Sequence, residues 1–317
     1  MTRPVAVVTV TFNAVDHVAA MIASVQVGQD GAVLPIVAVD NGSSDGTVAE
    51  LRKLDGVQII EQSNVGYAGG INRGIAVAPS GHDILVLNPD MVLQPGCVTR
   101  LSEALYRSAS NAIAVPALYD EDGGLQPSLR REPTWWRTLV ETLVGGTRAG
   151  ELGESYRPND SVGEPQTADW ATGAAMLLRR EALDQLGPWD GSFFLYSEET
   201  EFCLRVRDAG YRLVVEPRAV GTHIGGEMSR NPRLWALRAV NRVRLHRRRQ
   251  GRLATAAFRL TAILFELRRA LTGDAVSRAA LSALTVRDLD TVAVRLARAL
   301  GGDPRPILAA LPRPHRS

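Results

Sequence analysis

The stretch that decides the fold is LPIVAVDNGSSDGTVAELRKLDGVQIIE, residues 34–61. An apolar, β-branched run at 34–40 leads into a polar turn, a helix-like segment at 46–54 and a second apolar run at 57–61. Apolar runs of this length suit buried strands, and their alternation with helical segments indicates parallel strands joined by crossover helices. The stretch therefore predicts an α/β fold with helices on both faces of a mainly parallel central sheet.

The same alternation continues on both sides of this stretch. Further strands are predicted at 4–10, 83–88, 112–118 and 211–217, with helices at 16–27 and 70–78, a strand running into a helix at 170–183 and an amphipathic helix within 193–210. Residues 120–168 are rich in Gly, Pro, Glu and Arg and predict a long irregular loop, which in a compact domain is usually functional. Because ligands bind at the carboxyl ends of parallel strands, we look for the site there.

Composition narrows the class of protein. With 45% hydrophobic and 22% charged residues, the 317-residue chain is neither disordered, collagen-like nor a polytopic membrane protein. A net charge of +2 indicates no partner by itself.

Cys97 and Cys203 lack metal-ligand spacing and predict reduced, buried thiols. The beginning, MTRPVAVVTVTF, lacks the features of a signal peptide, which predicts a cytoplasmic location.

Two loops on the amino-terminal side have nucleotide-binding chemistry. In DNGSSDGT (40–47), Asp40 ends a strand and can accept a hydrogen bond from the imide of uracil or thymine, although the sequence also suits a plain strand-to-helix turn. In NVGYAGGINRGI (64–75), the glycines permit close backbone approach to phosphate, or simply form a turn. This loop has neither G-x-G-x-x-G spacing nor a P-loop lysine.

Three later motifs carry the remaining candidates for chemistry. LVLNPDMVLQPG (85–96) brings Asn88 and Asp90 to the end of a strand. Their side-chain oxygens either bind a divalent cation or cap a turn. FFLYSEETEFCLR (193–205) places several glutamates at the start of a helix. Their negative charges either interact favourably with the helix dipole or provide a general base. In AVGTHIGGEMS (219–229), His223 beside flexible glycines is either structural or a ligand.

The order of these motifs, completed by GAAMLLRRE (173–181) and CLRVRDAGYR (203–212), resembles that of the inverting glycosyltransferases of family 2. The resemblance covers roughly residues 4–229 and is greatest to actinobacterial rhamnosyltransferases, including those that act on lipid-linked cell-wall precursors. It implies a GT-A fold over residues 1–229, with a nucleotide half at about 1–118 and an acceptor half at about 119–229. Residues 230–317 would form a basic, amphipathic helical extension.

The resemblance also implies roles for individual residues. The implied nucleotide contacts are Thr11, Asp40, Asn41, Gly66, Asn72, Gly74, Asn88 and Asp90. Trp170 and Gly173 would lie on the acceptor side, and Asp90 with His223 would bind Mg²⁺ or Mn²⁺. Asn88 stands where the family's metal motif has its first aspartate. Glu199 matches the catalytic aspartate of the family's Glu-Asp pair, and Glu198 precedes it, so both are candidates for the base. An ordinary glutamate, with a pKa of about 4.3, is ionised at neutral pH and would need no shift to act as one.

The implied reaction is the inverting transfer of a sugar, with dTDP-rhamnose as the favoured donor, to a hydroxyl of a cell-envelope glycan or polyprenyl-linked acceptor. A UDP-sugar donor is an alternative, and so is a non-catalytic nucleotide-sugar-binding protein. The missing G-x-G-x-x-G fingerprint argues against a nucleotide-dependent oxidoreductase. A processive polysaccharide synthase is disfavoured because the sequence has no Gln-x-x-Arg-Trp motif and no spanning segment.

The carboxyl-terminal part differs in character from the rest. Residues 230–265 contain ten arginines and no acidic residue, and 254–271 is amphipathic. The pattern predicts either docking on an anionic membrane surface, at the inner face of the plasma membrane, or a solvated helical face. Nucleic-acid binding is disfavoured because no interleaved aromatic residues accompany the arginines. A homodimer stays open.

Overall fold

The computed structural model describes residues 2–28, 33–145, 148–156 and 166–310. The strands are β1 Val5–Thr11, β2 Ile36–Asp40, β3 Val57–Glu61, β4 Asp83–Leu87, β5 Met91–Leu93, β6 Asn111–Tyr119, β7 Leu129–Arg130, β8 Ser155–Tyr156, β9 Gln166–Ala168, β10 Trp170–Ala171, β11 Ala175–Leu178 and β12 Arg212–His223. The helices are α1 Val18–Gly28, α2 Thr47–Leu51, α3 Tyr67–Val77, α4 Cys97–Tyr106, α5 Trp135–Val144, α6 Arg180–Leu186, α7 Glu198–Asp208, α8 Glu227–Arg230, α9 Pro232–Arg249, α10 Arg252–Leu271, α11 Ala275–Thr285, α12 Leu289–Ala299 and α13 Arg305–Ala309.

The main sheet has the strand order β3-β2-β1-β4-β11-β6-β12-β5, and β9 pairs with β12 beside this path. Strands β3, β2, β1 and β4 run parallel, as the sequence predicts. Strand β11 is antiparallel to both β4 and β6, and so joins the parallel half to a mixed half. The predicted α/β class with a central sheet is confirmed.

Side-chain alternation along β1 divides the core into two layers. Ala6, Val8 and Val10 face a core shared with α3, whereas Val5 and Val7 face the opposite core shared with α1 and α4. Successive side chains of a strand point to opposite faces, so a purely apolar strand must be covered on both. This burial fixes the register in which the strands end together.

Strands β1, β2 and β3 end at the same level of the sheet. Thr11 pairs in register with Asp40, and Asp40 pairs with Glu61. The polar loops that follow these strands therefore meet at one edge, where the predicted nucleotide residues lie. Both cysteines are buried and free, as predicted.

The prediction that residues 120–168 are irregular is wrong for part of that segment. Helix α5 begins after Thr134, whose hydroxyl accepts a hydrogen bond from the Arg137 backbone N–H. The short strands β7, β8 and β10 form a separate three-stranded sheet. Helix α5 packs against α10, more than one hundred residues later in the chain, so the partner that stabilises it leaves no local signal in the sequence.

The carboxyl-terminal part is helical, as predicted, and has its own core. Asn231 caps α9 through hydrogen bonds to the backbone N–H groups of Arg233 and Leu234. Phe194, from the loop before α7, is 3% exposed within that core and joins it to the rest of the molecule. The domain boundary at residue 229 stays a prediction. Within the described ranges, no helix has the length and apolar character needed to cross a bilayer.

Candidate functional site

Asp40 organises the loop at the end of β2. Its carboxylate accepts hydrogen bonds from the hydroxyls of Thr11, at 2.9 Å, and Ser43, at 2.5 Å. The backbone N–H groups of Gly42 and Ser43 donate to its other oxygen at 3.0 and 2.8 Å. Asp40 is 1% exposed, so the carboxylate shapes this turn from within. The contacts of Thr11 and Asp40 with a nucleotide base stay predictions.

Asn41 and Gly66 connect this loop to the glycine-rich loop. The Asn41 amide donates to the Gly66 carbonyl at 3.1 Å and accepts from Gln62 Nε2 at 2.9 Å. Gly66 has φ of 86°, and a Cβ there would lie 2.2 Å from the carbonyl oxygen of Phe194. Only glycine fits this position, which brings the glycine-rich loop into contact with the segment before the glutamates.

Asn72 and Gly74 have packing roles in the structure. The Asn72 amide donates to the Trp189 carbonyl at 2.8 Å and accepts from the Trp189 backbone N–H at 2.9 Å. A Cβ on Gly74 would lie 2.4 Å from Val8, so the missing side chain lets α3 pack closely on β1. Nucleotide contact by these two residues stays a prediction.

Tyr67, which the sequence analysis did not single out, joins the two halves of the candidate site. Its hydroxyl lies 2.6 Å from Asn88 Oδ1 and 2.9 Å from the Gly173 carbonyl oxygen. Burial raises the pKa of Tyr67 well above its usual range, and the nearby carboxylates of Glu198, Glu199 and Asp90 raise it further. One phenol thus lies within the electrostatic reach of both predicted acidic groups. The only sequence signal was a polar aromatic residue at the start of a glycine-rich helix.

Gly173 and Trp170 lie on the other side of this tyrosine. A Cβ built on Gly173 would be 3.4 Å from the Tyr67 ring and 3.6 Å from Glu199 Cβ. The Trp170 indole donates to the Arg131 carbonyl at 2.9 Å. The structure therefore brings Asn88, Gly173 and Glu199 together around Tyr67. Contact of Trp170 and Gly173 with an acceptor stays a prediction.

Asp90 and His223 form the candidate metal pair. His223 Nε2 lies 3.5 Å from Asp90 Oδ2, which also accepts the Gly225 backbone N–H at 3.1 Å. Burial acts to raise the pKa of Asp90, but the hydrogen bond and charge of His223, with the Gly225 N–H, lower it overall. Asp90 is therefore ionised at neutral pH.

The hydrogen bonds around this pair leave two atoms suited to a cation. Gln126 Nε2 donates to the His223 carbonyl at 2.7 Å, which turns Gln126 Oε1 toward His223 Nδ1 at 3.0 Å. This contact favours the tautomer with the proton on Nδ1, in which the lone pair of Nε2 is available to a cation on the Asp90 side. Asp90 Oδ1 is buried and has no hydrogen-bond partner among the described residues. An imidazole nitrogen and a carboxylate oxygen of this kind fit a divalent cation, although no group of three or more such ligands occurs in the described part of the chain.

Glu198 and Glu199 differ in their surroundings. Glu198 is 1% exposed, and its Oε2 has no hydrogen-bond partner within the described ranges. Burial raises the pKa of Glu198 well above its usual range, and the charge of Glu199 adds to the shift. Glu199 is half-buried, and burial raises its pKa to about 7. Both carboxyls therefore differ from an ordinary glutamate, because burial raises their pKa values.

Glu201, the third glutamate of the cluster, has a structural partner. Both of its carboxylate oxygens accept hydrogen bonds from Arg205 at 3.0 Å, one turn later on α7. This pair leaves Glu198 and Glu199 as the acidic groups of the cluster whose charges act on Tyr67.

The loop before α7 is strained. Phe194, Tyr196 and Ser197 adopt φ of 67°, 67° and 80°, a region that side-chain-bearing residues rarely occupy. The Asn241 amide, on α9, donates hydrogen bonds to carbonyl oxygens of this loop. Strain of this kind persists where surrounding structure enforces it, and it is concentrated at functional sites.

Comparison with known proteins shows the family to which the chain belongs. The family model described as "Glycosyl transferase family 2" matches residues 6–187. The N-acetylglucosaminyl-diphospho-decaprenol L-rhamnosyltransferase of Mycobacterium tuberculosis is 29% identical over 236 residues, which cover 70% of this chain and 76% of that protein. The rhamnosyltransferase WbbL of Escherichia coli is 28% identical over 167 residues, covering 50% of this chain and 61% of that protein.

A solved structure supports the fold. The mannosyltransferase PcManGT from Pyrobaculum calidifontis, in complex with GDP-Man and Mn²⁺, has a TM-score of 0.55 and 17% sequence identity. The match covers 98% of this chain and 79% of that one. The predicted GT-A architecture is therefore confirmed.

Proposed function

The chain belongs to glycosyl transferase family 2, and from that premise we propose that it catalyses a metal-dependent, inverting sugar transfer. The donor is dTDP-rhamnose, and the acceptor is a hydroxyl of a cell-envelope glycan or of a lipid-linked precursor. The rhamnosyltransferase relatives support the sugar, and the mycobacterial relative's name supports a lipid-linked acceptor. The observation that carries the proposal is the contact of Tyr67 with both Asn88 and Gly173, which joins the donor side to Glu199.

Glu199 is the general base in this proposal. Its carboxylate removes the proton from the acceptor hydroxyl while that oxygen bonds to the anomeric carbon and the bond from this carbon to the nucleoside diphosphate breaks. A base works best when its pKa lies near the operating pH, and the pKa of Glu199 is raised to about 7. Attack opposite to the leaving group gives inversion in a single step.

Glu198 supports this reaction without taking the proton. Burial and the charge of Glu199 raise the pKa of Glu198 well above its usual range, so Glu198 holds its proton more strongly than an ordinary glutamate does. Two neighbouring carboxylates resist simultaneous ionisation, so a neutral Glu198 leaves the negative charge on Glu199. The choice between the two candidates therefore favours Glu199.

Asp90 and His223 are the residues that would hold the cation, Mg²⁺ or Mn²⁺. The Oδ1 of Asp90, unpartnered within the described ranges, and the ring nitrogen Nε2 of His223 fit such an ion, and Mn²⁺ is present in the complex of the mannosyltransferase PcManGT. When bound, the cation would neutralise charge on the diphosphate leaving group. Tyr67 holds the Asn88 side chain in place beside this pair.

Membrane contact is a further part of the proposal, and several arginines of the basic run have partners within the protein. Arg244 is fully buried against Asp290 at 2.8 Å, and Arg249 pairs with Glu132 at 3.1 Å and Asp208 at 2.8 Å. These arginines of α9 bind carboxylates of the protein. Arg249 anchors α9 to the rest of the molecule, and Arg244 joins α9 to α12 within the helical part. Contact of the arginine run with a lipid surface stays a prediction.

An apolar surface on α5 and α10 is a better candidate for contact with lipid. The exposed leucines on α10 are Leu253, Leu260, Leu264, Leu267 and Leu271, whose spacing places them on one face of the helix. Trp135 and Trp136 are exposed on neighbouring α5. Leucines beside tryptophans and arginines are typical of helices lying in a membrane interface. The cytoplasmic location and the homodimer stay predictions.

The experiment that tests the proposal is a screen of nucleotide sugars with Mn²⁺ or Mg²⁺, followed by turnover. A ligand at one hundred times its dissociation constant should add about 2.7 kcal/mol of stability. We expect dTDP-rhamnose with metal to give the largest rise in Tm and NMR of the transferred sugar to show an inverted anomeric centre. A larger rise with UDP-sugars would favour the alternative donor, and binding without any turnover would favour a non-catalytic binding protein.

A further inference from the structure

A second cavity lies outside the cluster around Tyr67. It has a volume of about 660 Å³ and lies between β7, β8 and α5 on one side and α9 and α10 on the other. Its charged lining includes Arg130, Arg238, Arg242 and Arg269, and its apolar lining includes Trp235 and Phe258. We call it the arginine cavity.

Arg238 is the unusual charge in this cavity. Its guanidinium lies 4.9 Å from the centre of the Trp235 ring, and within the described ranges no carboxylate or carbonyl forms a hydrogen bond or ion pair with it. By contrast, Arg242 pairs with Glu154, and Arg269 pairs with Asp274. A partly desolvated cation without a counter-ion is costly unless something else supplies the negative charge.

Two of the three carboxylates that the structure describes in the lining, Glu141 and Glu266, have neutral hydrogen-bond partners. The single N–H of the Trp235 indole is shared between the two carboxylate oxygens of Glu266, at 3.1 and 3.0 Å. Glu141 accepts the backbone N–H groups of Glu154 and Ser155 at 2.7 and 3.2 Å. These acids are therefore held by neutral donors on the walls of the cavity.

The positive charge of Arg238 favours the binding of an anion in the arginine cavity. Burial lowers the pKa of Arg238 to about 10, and the charges of Arg242 and Arg130 lower it further. Glu154 and Glu266 act in the opposite direction, but each has a smaller effect than either arginine. The guanidinium is still protonated at neutral pH, so the positive charge is present and incompletely balanced.

The arginine cavity is coupled to the base of the proposed reaction. The charge of Arg238 acts to lower the pKa of Glu199. On the same helix α9, three residues later, Asn241 binds the loop that leads to Glu199. On the opposite wall of the cavity, Arg130 of β7 lies opposite Trp170 of β10 in the backbone pairing of these strands, and β10 precedes Gly173. These contacts link the walls of the cavity to the surroundings of Glu199.

We propose that the arginine cavity binds the phosphate groups of a phosphorylated, lipid-linked acceptor, with Arg238 as the main cation, and so directs the acceptor hydroxyl to Glu199. The inference rests on the proposed function. A guanidinium forms paired hydrogen bonds with phosphate oxygens, and several arginines together suit a diphosphate. Trp235 and Phe258 provide apolar surface for the organic group attached to it.

Binding is measured first, without turnover. The holo protein is saturated with nucleoside diphosphate and Mn²⁺ to fill the donor site, then titrated by calorimetry with farnesyl diphosphate or with inorganic pyrophosphate. We expect Arg238→Gln to weaken farnesyl diphosphate binding at least about tenfold, the loss expected for one charge-assisted contact. Arg238→Lys keeps the positive charge but cannot form the paired hydrogen bonds of a guanidinium. Its affinity for farnesyl diphosphate should therefore lie between those of the wild type and Arg238→Gln. Arg252→Gln is the matched control, since it removes an exposed arginine outside the cavity.

The outcomes separate the sources of the phosphate. Loss of farnesyl diphosphate binding in Arg238→Gln, with unchanged affinity for the nucleoside diphosphate and an unchanged Tm, supports the proposal. Equal binding by the wild type and Arg238→Gln overturns it. Binding of inorganic pyrophosphate alone, without farnesyl diphosphate, also overturns it, because the cavity would then be a site for free anions. If the protein transfers no sugar while Arg238-dependent binding persists, the proposed function fails but the cavity assignment stands. With a lipid-linked acceptor, the variant should raise the acceptor KM more than it lowers kcat.

Discussion

The side-chain amide of Asn241, on α9, donates a 2.7 Å hydrogen bond to the backbone carbonyl of Phe193, 48 residues earlier in the chain. The same nitrogen lies 2.9 and 3.2 Å from the carbonyl oxygens of Leu195 and Tyr196. Asn241 is fully buried, and its Oδ1 accepts from Arg244 at 2.7 Å. The carboxyl-terminal helices thus hold the strained loop that leads into Glu198 and Glu199.

Asn241→Ala should therefore affect both stability and turnover. It leaves buried carbonyls and the Arg244 donor without their partner, which should lower the free energy of unfolding by about 1–3 kcal/mol. We also expect kcat to fall while nucleotide affinity is retained, because the loop no longer fixes Glu199. Val294→Ala, a buried change in the same helical core, is the control and should lower Tm without lowering kcat of the folded enzyme. Parallel losses of kcat in both variants would show that Asn241 acts through stability alone.

The pH dependence of activity should report on Glu199. Only the ionised carboxylate accepts a proton, so kcat/KM should rise with pH to a plateau through a midpoint of about 7. Since the charge of Arg238 lowers this pKa, Arg238→Gln should move the midpoint to higher pH, and Arg252→Gln should not. A midpoint near 4.5 in the wild type would contradict the raised pKa.

The stability of the protein should fall as pH rises, whereas its activity should increase. The pKa values of Glu198 and Glu199 are raised on folding, so the native state binds more protons than the unfolded state above the unfolded value of 4.5. Their contribution to stability is complete below that value and is lost as pH rises to about 7 and beyond. Glu198→Gln removes the larger of the two costs of ionising a buried carboxyl. The free energy of unfolding, measured by urea titration, should therefore fall less between pH 5 and pH 8 in this variant than in the wild type. An identical slope in both proteins would argue that Glu198 is ionised when folded.

Metal dependence should depend on Asp90 and His223. Asp90→Asn and His223→Ala should each weaken the increase in nucleotide affinity produced by Mn²⁺, because each removes one ligand of the pair. Isothermal titration with and without EDTA measures this increase. Asp122→Asn, on an exposed loop, is the control and should keep it. Full Mn²⁺ dependence in both site variants would place the cation elsewhere.

Membrane contact should depend on the leucines of α10. Leu260→Glu with Leu264→Glu places charges on the exposed apolar face and should reduce co-sedimentation with vesicles that contain acidic lipid. The paired change Arg247→Gln with Arg248→Gln is the comparison, since these arginines bind Asp290 and Asp190. Stronger loss of binding from the arginine pair would restore the arginine run as the lipid-binding element.

The sequence was sufficient for the first half of the fold but not for the contacts that complete the site. Strands β1 to β4 and the loops carrying Asp40 and Asp90 followed from apolar runs that end in polar turns, because such patterns are local. The bridging role of Tyr67 was missed because its partners, Asn88 and Gly173, lie 21 and 106 residues away.

The carboxyl-terminal helices show the same limit. Their arginines were interpreted as a surface pattern, since sequence does not reveal that Arg244 meets Asp290 in a buried pair. Asn241 gave no signal at all, because an asparagine within a helix acquires its role only from the loop that packs on it. The raised pKa of Glu199 likewise comes from burial, which depends on tertiary packing.

The most direct test of the central claim compares Glu199→Gln with Glu198→Gln in the rate of sugar transfer, with nucleotide binding measured alongside. Glu199→Gln should lower kcat by about 10²–10⁴-fold, the range for loss of a general base, and keep nucleotide affinity. Glu198→Gln should lose much less, since glutamine resembles the protonated acid. Wild-type turnover in Glu199→Gln, or the larger loss in Glu198→Gln, would contradict the account.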